Sequence, residues 1–153
     1  MCNERSAFSS WLSAFSALLS VECTVRTGVL EAVVAHALGA RPSECCGILL
    51  GKDDEIVEAV RTGNLAQSAN RFLIDPGDHI NVRRAARDRG LEVIGFYHSH
   101  PSSTGEPSAT DLAEASYPNH LYLIIGLGSR LPEARLYRLA SGGFLELSFV
   151  KTG

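Results

Sequence analysis

The sequence predicts a single α/β domain in which a mixed, mainly antiparallel β-sheet is flanked by two to three helices. Three observations predict this fold class. Short apolar runs of strand length recur along the chain, two segments repeat apolar residues at helical spacing, and Gly-, Pro- or polar-rich turns separate them. The chain has 153 residues, of which 45% are hydrophobic and 20% charged, as expected of one globular domain.

Signals for strands and helices follow one another through the first half of the chain. Apolar alternation predicts strands, and apolar residues three and four apart predict a helix that closes near Gly39. In order, the predicted elements are a strand at 21–26, a helix at 29–38, strands at 46–50 and 55–60 around a turn at 52–54, a polar loop at 61–70 and an extended segment at 72–74 that Pro76 stops. We expect residues 1–20 to be an N-terminal extension of unknown role and the domain to occupy 21–153.

The second half begins with another helix and ends in strands. Ser108 is the expected N-cap of a short third helix, because its hydroxyl can accept a hydrogen bond from a free N–H of the first turn. In order, the predicted elements are a helix at 78–89 ended by Gly90, a strand at 91–97 buried on both faces, a loop at 101–107, a helix from Ser108 to Ser116, and strands at 121–126, 134–139 and 144–150, the last two joined across 141–143.

Charge and cysteine usage exclude several classes of function. The formal net charge is −3, and the arginines between 83 and 89 lie on one predicted helix without a wider basic cluster, so a nucleic-acid partner is not expected. The apolar stretch at 11–21 is too short to span a membrane and makes a weak signal peptide. Four cysteines without a C-x-x-C pair predict a reducing, cytoplasmic setting, and no pattern predicts an oligomeric state.

Two histidines and an aspartate carry the metal-binding signal. His98 and His100 follow the strand predicted at 91–97, and residues two apart in an extended segment project to the same side. Asp111 lies in the first turn of the predicted third helix, after a loop able to fold back. Two imidazoles and one carboxylate fit three positions of a tetrahedral Zn²⁺ site whose fourth position stays open for water, which is typical of catalytic zinc.

Two further residues supply what such a site needs. Glu44 begins a short apolar strand and is the candidate general base for the water, and Ser108 can donate a hydrogen bond to a developing oxyanion. Taken alone, each signal has an ordinary structural explanation: histidines two apart are common, Ser108 and Asp111 match a helix cap, and Glu44 is typical of a turn. Their combined spacing favours a catalytic zinc site.

Other reactive side chains receive structural interpretations. A thiol-based mechanism is a rival, but a cysteine that starts an apolar strand is more often a small buried hydrophobe. We expect the remaining residues to be structural, with the following places: Cys45 and Cys46 buried, Tyr97 packed behind the ligands, His36 and His79 on helix surfaces, and His120 at a strand edge.

Two stretches of the sequence resemble a known family. The run from Gly95 to Pro101 (Gly-Phe-Tyr-His-Ser-His-Pro), followed by Pro-Ser-Ala-Thr-Asp at 107–111, resembles the JAMM motif of the MPN-domain zinc metalloproteases. The run at 42–51 (Pro-Ser-Glu-Cys-Cys-Gly-Ile-Leu-Leu-Gly) resembles the segment that supplies the catalytic glutamate of that family. The resemblance extends over about residues 21–150, and every catalytic position is filled.

The resemblance implies a fold, a metal and residue roles. It implies a cytidine-deaminase-like MPN (JAB) fold, although the H-x-E and P-C-x-x-C signature of zinc deaminases is absent and disfavours their chemistry. It also implies that His98, His100 and Asp111 hold zinc, that Glu44 activates the water on the metal, and that Ser108 assists at the oxyanion.

The resemblance also implies a substrate. The spacing between Glu44 and His98 is that of small bacterial and archaeal members, which cleave the amide bond after the C-terminal glycine of ubiquitin-like sulfur-carrier proteins. We expect the carrier tail to bind as an extended strand in a groove lined by the flexible segments 62–75 and 101–107. Two alternatives remain open: an MPN module that binds a ubiquitin-like partner without cutting it, and a zinc amidohydrolase acting on small acyl-amino acids.

Overall fold

The structure is a computed structural model that describes residues 22–153. The extension predicted for residues 1–20, together with Val21, lies outside the described residues. The eleven elements in chain order are β1 (Cys23–Arg26), α1 (Thr27–Ala40), β2 (Cys46–Lys52), β3 (Glu55–Thr62), α2 (Pro76–Asp88), β4 (Glu92–His100), α3 (Ala109–Glu114), β5 (Leu121–Gly126), β6 (Glu133–Ala140), β7 (Gly143–Leu147) and β8 (Phe149–Thr152). No helix within 22–153 is long and apolar enough to cross a membrane.

The strands form one mixed sheet, which confirms the predicted fold class. The hydrogen-bonded order is β7-β6-β5-β4-β2-β3-β1-β8. The pairs β4–β5, β1–β3 and β1–β8 are parallel, and the other neighbours are antiparallel. β4 therefore lies at the centre of the sheet, where neighbouring strands satisfy its main chain on both sides.

The end of the chain differs from the prediction. The single strand predicted at 144–150 is divided at Ser148 into β7, which pairs with β6, and β8, which pairs with β1. β7 and β8 lie at opposite ends of the strand order although one residue separates them. The sheet must therefore curl until its two edges meet near Ser148. Apolar alternation specifies which side chains are buried but not which strand accepts the hydrogen bonds, so the sequence pattern could not reveal the break.

The two faces of the central strand pack against different layers. Tyr97 belongs to a core cluster on the α1 side, which includes Val33 and Leu123. Phe96 belongs to a second cluster, which includes Ala86 of α2 and Tyr122 of β5. The expected burial of this strand on both faces is confirmed, and β4 extends three residues further than predicted, so that His98 and His100 lie within it.

A glycine in β2 makes room for the aromatic ring of its neighbour. Gly47 pairs with Tyr97 across the β2–β4 ladder. A Cβ atom on Gly47 would lie 2.2 Å from Cε1 of the Tyr97 ring, a distance that real contacts do not reach. Because Gly47 has no side chain, the Tyr97 ring can pack directly against β2. Tyr97 belongs to β4, the strand that carries the histidines.

We predict that Gly47→Ala destabilises the protein. The added methyl group would force the buried Tyr97 ring or β2 to move, which costs about 1–3 kcal/mol in an overpacked core. Gly39→Ala is the matched control, because Gly39 is exposed in α1 and an added Cβ meets nothing within 4 Å. That control should be neutral or gain about 0.5–1 kcal/mol from helix propensity. Urea denaturation measures both, and equal stabilities of the two variants would contradict the steric explanation.

Candidate metal centre

The two histidines lie on one face of the central strand. Both belong to β4 and are separated by Ser99, so their side chains project to the same side as Phe96, towards the α2 layer. Only 1% of His98 and 4% of His100 is exposed. Each ring turns its Nε2 atom towards the other, and the two atoms are 3.1 Å apart.

Asp111 reaches this pair from the first turn of α3. Ser108 is the N-cap of α3, and its hydroxyl accepts a hydrogen bond from the N–H of Asp111. In return, Oδ2 of Asp111 accepts from the N–H of Ser108 at 2.8 Å, which completes a capping box. The same Oδ2 atom lies 3.1 Å from Nε2 of His98 and 3.0 Å from Nε2 of His100. The helix cap therefore fixes the carboxylate against the imidazoles.

The three atoms form a triangle that fits a zinc ion. Its edges measure 3.0–3.1 Å. Tetrahedral zinc with ligand distances of about 2.0–2.1 Å places its ligand atoms about 3.3 Å apart, so the observed triangle needs only a small expansion. Within the described part of the chain, these three buried residues are the group able to hold a metal ion. Lone pairs converging on one point repel each other unless a proton or a metal cation lies between them.

The hydrogen bonds and burial of the two imidazoles shift their pKa values in opposite directions. Nδ1 of His100 donates to the carbonyl oxygen of Thr104 at 2.8 Å, which leaves Nε2 as the ligand atom. Burial lowers the pKa of His98 and favours the neutral form that binds metals. Burial also acts to lower the pKa of His100, but its hydrogen bonds to Asp111 and Thr104 outweigh burial and raise it. Burial acts to raise the pKa of Asp111, but hydrogen bonds from His100 and His98 hold it well below its usual range.

Glu44 is buried beside the triangle. It lies two residues before Cys46, which pairs with His98 across the β2–β4 ladder, and its carboxyl group is close enough to His100 and Asp111 to interact with both electrostatically. Only 3% of the residue is exposed, and within 22–153 its Oε2 atom has no hydrogen-bond partner. Burial raises the pKa of Glu44 to about 7, while His100 opposes this rise and Asp111 adds to it. A carboxyl group with this pKa is suited to accept and return a proton near neutral pH.

The loop at 101–107 is attached to the sheet through Gly105. Its part in lining a substrate groove stays a prediction. The N–H of Gly105 donates to Glu133 at 3.1 Å, and its carbonyl oxygen accepts from the hydroxyl of Tyr137 at 3.0 Å. Gly126 leaves space for this loop, since a Cβ there would lie 2.3 Å from the nitrogen of Gly105. The loop thus holds α3, and with it Asp111, in place.

A cavity opens beside His98 and Asp111 on the α2 side of the sheet. Its volume is about 680 Å³, and its walls are mainly aromatic and aliphatic. Residues 71–74 of the segment predicted to line the groove contribute to it, whereas no residue of 101–107 does. The size and apolar lining are typical of a cavity that binds part of a substrate.

Two residues that line the cavity were not expected there from the sequence. The Phe72 ring stacks on the His98 ring with centroids 4.4 Å apart, and so covers one metal-binding candidate. Phe72 is a large aromatic residue in an otherwise polar stretch, which was the available signal. His79 lies on α2 as expected and is half-buried, and its ring lies edge-on to Phe96 at 5.4 Å and lines the cavity, which the sequence did not indicate.

The interpretations of the other candidates are mostly confirmed. Cys45 and Cys46 are 2% and 0% exposed, and burial raises the pKa of the Cys46 thiol to about 11, which disfavours a thiolate mechanism. Tyr97 packs behind the histidines on the opposite face of β4. His36 was placed on a helix surface but is half-buried, with Nδ1 2.8 Å from the Tyr97 hydroxyl. His120 lies directly before β5, as expected of a strand edge.

Comparison with known proteins matches most of the chain to one domain family. Residues 26–140 match the family described as prokaryotic homologs of the JAB domain. A desampylase from Haloferax volcanii is 34% identical over 119 residues, which cover 76% of this chain and 86% of the relative. A CysO-cysteine peptidase from Mycobacterium tuberculosis is 32% identical over 127 residues, which cover 80% of this chain and 86% of the relative.

A solved structure supports the fold. The crystal structure of a JAB1/MPN domain protein from Archaeoglobus fulgidus superposes with a TM-score of 0.55 at 23% identity. The superposition covers 86% of this chain and 98% of the other. At this level of identity the similarity concerns the fold alone, and it confirms the expected MPN (JAB) architecture.

We predict that Asp111→Ala abolishes stoichiometric zinc binding, because the triangle loses the oxygen that both imidazoles face. The substitution also removes one of the two hydrogen bonds of the α3 capping box, which costs about 1 kcal/mol. Asp75→Ala is the matched control, because Asp75 caps α2 by accepting from the N–H of Gly77 at 2.7 Å and contributes nothing to the triangle. Metal analysis after dialysis should give about one zinc per chain for the control. Full zinc content in Asp111→Ala would remove Asp111 from the ligand set.

We predict that Glu44→Gln stabilises the metal-free protein at pH 8 but not at pH 4.5. The pKa of Glu44 rises from 4.5 to about 7 on folding, so the folded state holds this proton more tightly and loses stability as pH rises through that window. At pH 8 the buried charge costs on the order of 3 kcal/mol, which glutamine avoids. Glu92→Gln, at the exposed start of β4, is the control. Denaturation in the presence of a chelator measures both, and a pH-independent difference would contradict the assignment.

Proposed function

The chain belongs to the family of prokaryotic JAB-domain proteins, and from that premise we propose that it is a zinc-dependent peptidase of ubiquitin-like sulfur-carrier proteins. In this proposal it hydrolyses the amide bond that follows the C-terminal glycine of the carrier. The prediction of a peptidase of the JAMM type is confirmed by the relatives, which include a desampylase and a CysO-cysteine peptidase. The zinc ion, the roles of individual residues and the carrier substrate are the proposed part.

The observation that carries the proposal is the triangle of two Nε2 atoms and one Oδ2 atom, with the buried carboxyl group of Glu44 near enough to interact electrostatically with His100 and Asp111. His98, His100 and Asp111 would hold the zinc ion. When bound, zinc would act as a Lewis acid that polarises the scissile carbonyl group and lowers the pKa of water.

Glu44 and Ser108 would perform the proton transfer and the charge stabilisation. The pKa of Glu44 near 7 lets its carboxylate take a proton from the attacking water and deliver it to the leaving amine. The Ser108 hydroxyl accepts from the N–H of Asp111, so its own proton is free to be donated to the carbonyl oxygen as negative charge develops there.

The cavity would bind the end of the carrier. Its apolar walls adjoin His98 and Asp111, and an extended tail lying there would bring its last carbonyl group to the triangle. The Phe72 ring shields His98 from solvent on that side, which lowers the local dielectric and strengthens the electrostatic interactions of the site.

We predict that the wild-type protein with zinc removes a C-terminal extension from a sulfur carrier ending in Gly-Gly, and that Glu44→Gln lowers the rate by about 10²–10⁴-fold. The variant should keep its zinc, because metal ligation survives while proton transfer does not. Intact mass spectrometry of a panel of extended carriers measures the cleavage, and metal analysis measures the zinc.

The control is Glu92→Gln, which leaves the buried carboxyl group in place. Near-normal cleavage by Glu44→Gln would show that Glu44 is not the base. Zinc binding without cleavage of any carrier would favour a non-cleaving module. Turnover of small acyl-amino acids alone would favour an amidohydrolase.

A further inference from the structure

Residues 64–74 form a compact loop that closes on itself beside Glu44. Asn64 and Ile74 form an antiparallel bridge, and the N–H of Leu65 donates to the carbonyl oxygen of Leu73 at 2.9 Å. Loops of this kind, with neighbouring ends and internal packing, are frequently functional. We refer to residues 64–74 as the 64–74 loop.

The side chain of Asn64 holds this loop together. Its Oδ1 atom accepts from the N–H of Ala66 at 3.0 Å and from the N–H of Leu73 at 2.9 Å. Its Nδ2 atom donates to the carbonyl oxygen of Arg71 at 3.0 Å and to that of Glu44 at 3.1 Å. Two N–H groups and two carbonyl groups fix the orientation of the carboxamide and use all four of its hydrogen-bonding positions.

The main chain of Glu44 depends on the same loop. The ladder of β2 begins at Cys46, so Glu44 precedes the strand. Its N–H donates to the carbonyl oxygen of Ser68 at 2.8 Å, and its carbonyl oxygen accepts from Asn64. Both hydrogen-bonding groups of the Glu44 backbone are therefore bound by the 64–74 loop rather than by a neighbouring strand.

The 64–74 loop also contacts His98, a candidate metal ligand, through Phe72. Phe72 follows Arg71, whose carbonyl oxygen Asn64 binds, and precedes Leu73, whose N–H Asn64 also binds. The ring of Phe72 stacks on His98. One carboxamide thus links the backbone of the proposed base to the ring that covers a proposed zinc ligand.

We propose that Asn64 is a positioning residue of the peptidase, which aims the Glu44 carboxylate by tying its main chain to the 64–74 loop. This inference rests on the proposed function for its catalytic consequence. Asn64 touches neither substrate nor metal in this scheme. It acts through the Glu44 backbone, whose displacement by a fraction of an ångström would misalign proton transfer.

The first test measures hydrogen exchange in the full-length, metal-free protein and needs no substrate. Asn64→Asp keeps an oxygen for the N–H groups of Ala66 and Leu73 but loses the donors to Glu44 and Arg71. We expect the Glu44 amide to exchange at least about tenfold faster, with the β2 amide of Leu49 unchanged. Asn70→Asp is the matched control, because Asn70 is an exposed loop residue bonded to Ser68 alone among the described residues. Unchanged exchange at Glu44 in Asn64→Asp would overturn the proposal.

The second test separates rate from binding in the zinc-loaded enzyme. We expect Asn64→Asp to lower kcat on an extended carrier by about 10- to 100-fold with full zinc content, and Asn70→Asp to leave it unchanged. An increase in KM alone, or an equal loss in both variants, would overturn the proposal. Asn64→Gln keeps the carboxamide donors and acceptor, so it controls for a simple loss of folding. Its longer side chain displaces the carboxamide, and we therefore expect kcat to fall in this variant as well. If the wild type cleaves no carrier, the proposed function fails, while the exchange experiment still decides whether Asn64 holds Glu44.

Discussion

The structure depends on the sharing of one carboxylate oxygen. Oδ2 of Asp111 accepts from the N–H of Ser108 and lies within hydrogen-bonding distance of Nε2 of both His98 and His100. The first interaction belongs to helix capping, and the other two create a strong preference for a cation. Because the same atom serves both, the capping box of α3 also holds a carboxylate against the imidazoles. The local geometry of the helix start therefore positions one of the three residues of the candidate metal site.

The rest of the fold supports that oxygen from several directions. Strand β4 lies in the middle of the sheet, so its histidines are held by neighbours on both sides. Gly105 is bound at its N–H and its carbonyl group by side chains of β6, which fixes the connection between His100 and Asp111. Glu44 lies just before β2, the strand next to β4, and carries a buried carboxyl group that stability alone would not favour. A buried acid whose Oε2 atom has no hydrogen-bond partner within 22–153, close to three converging metal-ligand atoms, is typical of a site in which stability is given up for chemistry.

The cavity links this centre to the proposed substrate. Its walls come from the 64–74 loop, α2, β4, α3 with the segment that follows it, and the later strands β5 and β7, so parts of the chain that are distant in sequence line it. The same loop binds the main chain of Glu44 through Asn64 and Ser68. The loop that lines the cavity and the loop that binds the Glu44 main chain are therefore one and the same segment.

The sequence by itself determined the fold class, most helices and strands, and the candidate residues His98, His100, Asp111, Glu44 and Ser108. Periodicity and spacing encode these features locally, because residues two apart in a strand share a face and a cap lies three residues from its partner. Only the tertiary structure decided that the last predicted strand divides at Ser148 between opposite edges of the sheet, that Gly105 ties the 101–107 loop to β6, and that Phe72, His79 and Asn64 approach the site. These features arise from contacts between residues distant in the chain. A local pattern shows which side chains are buried but not which neighbours will bury them.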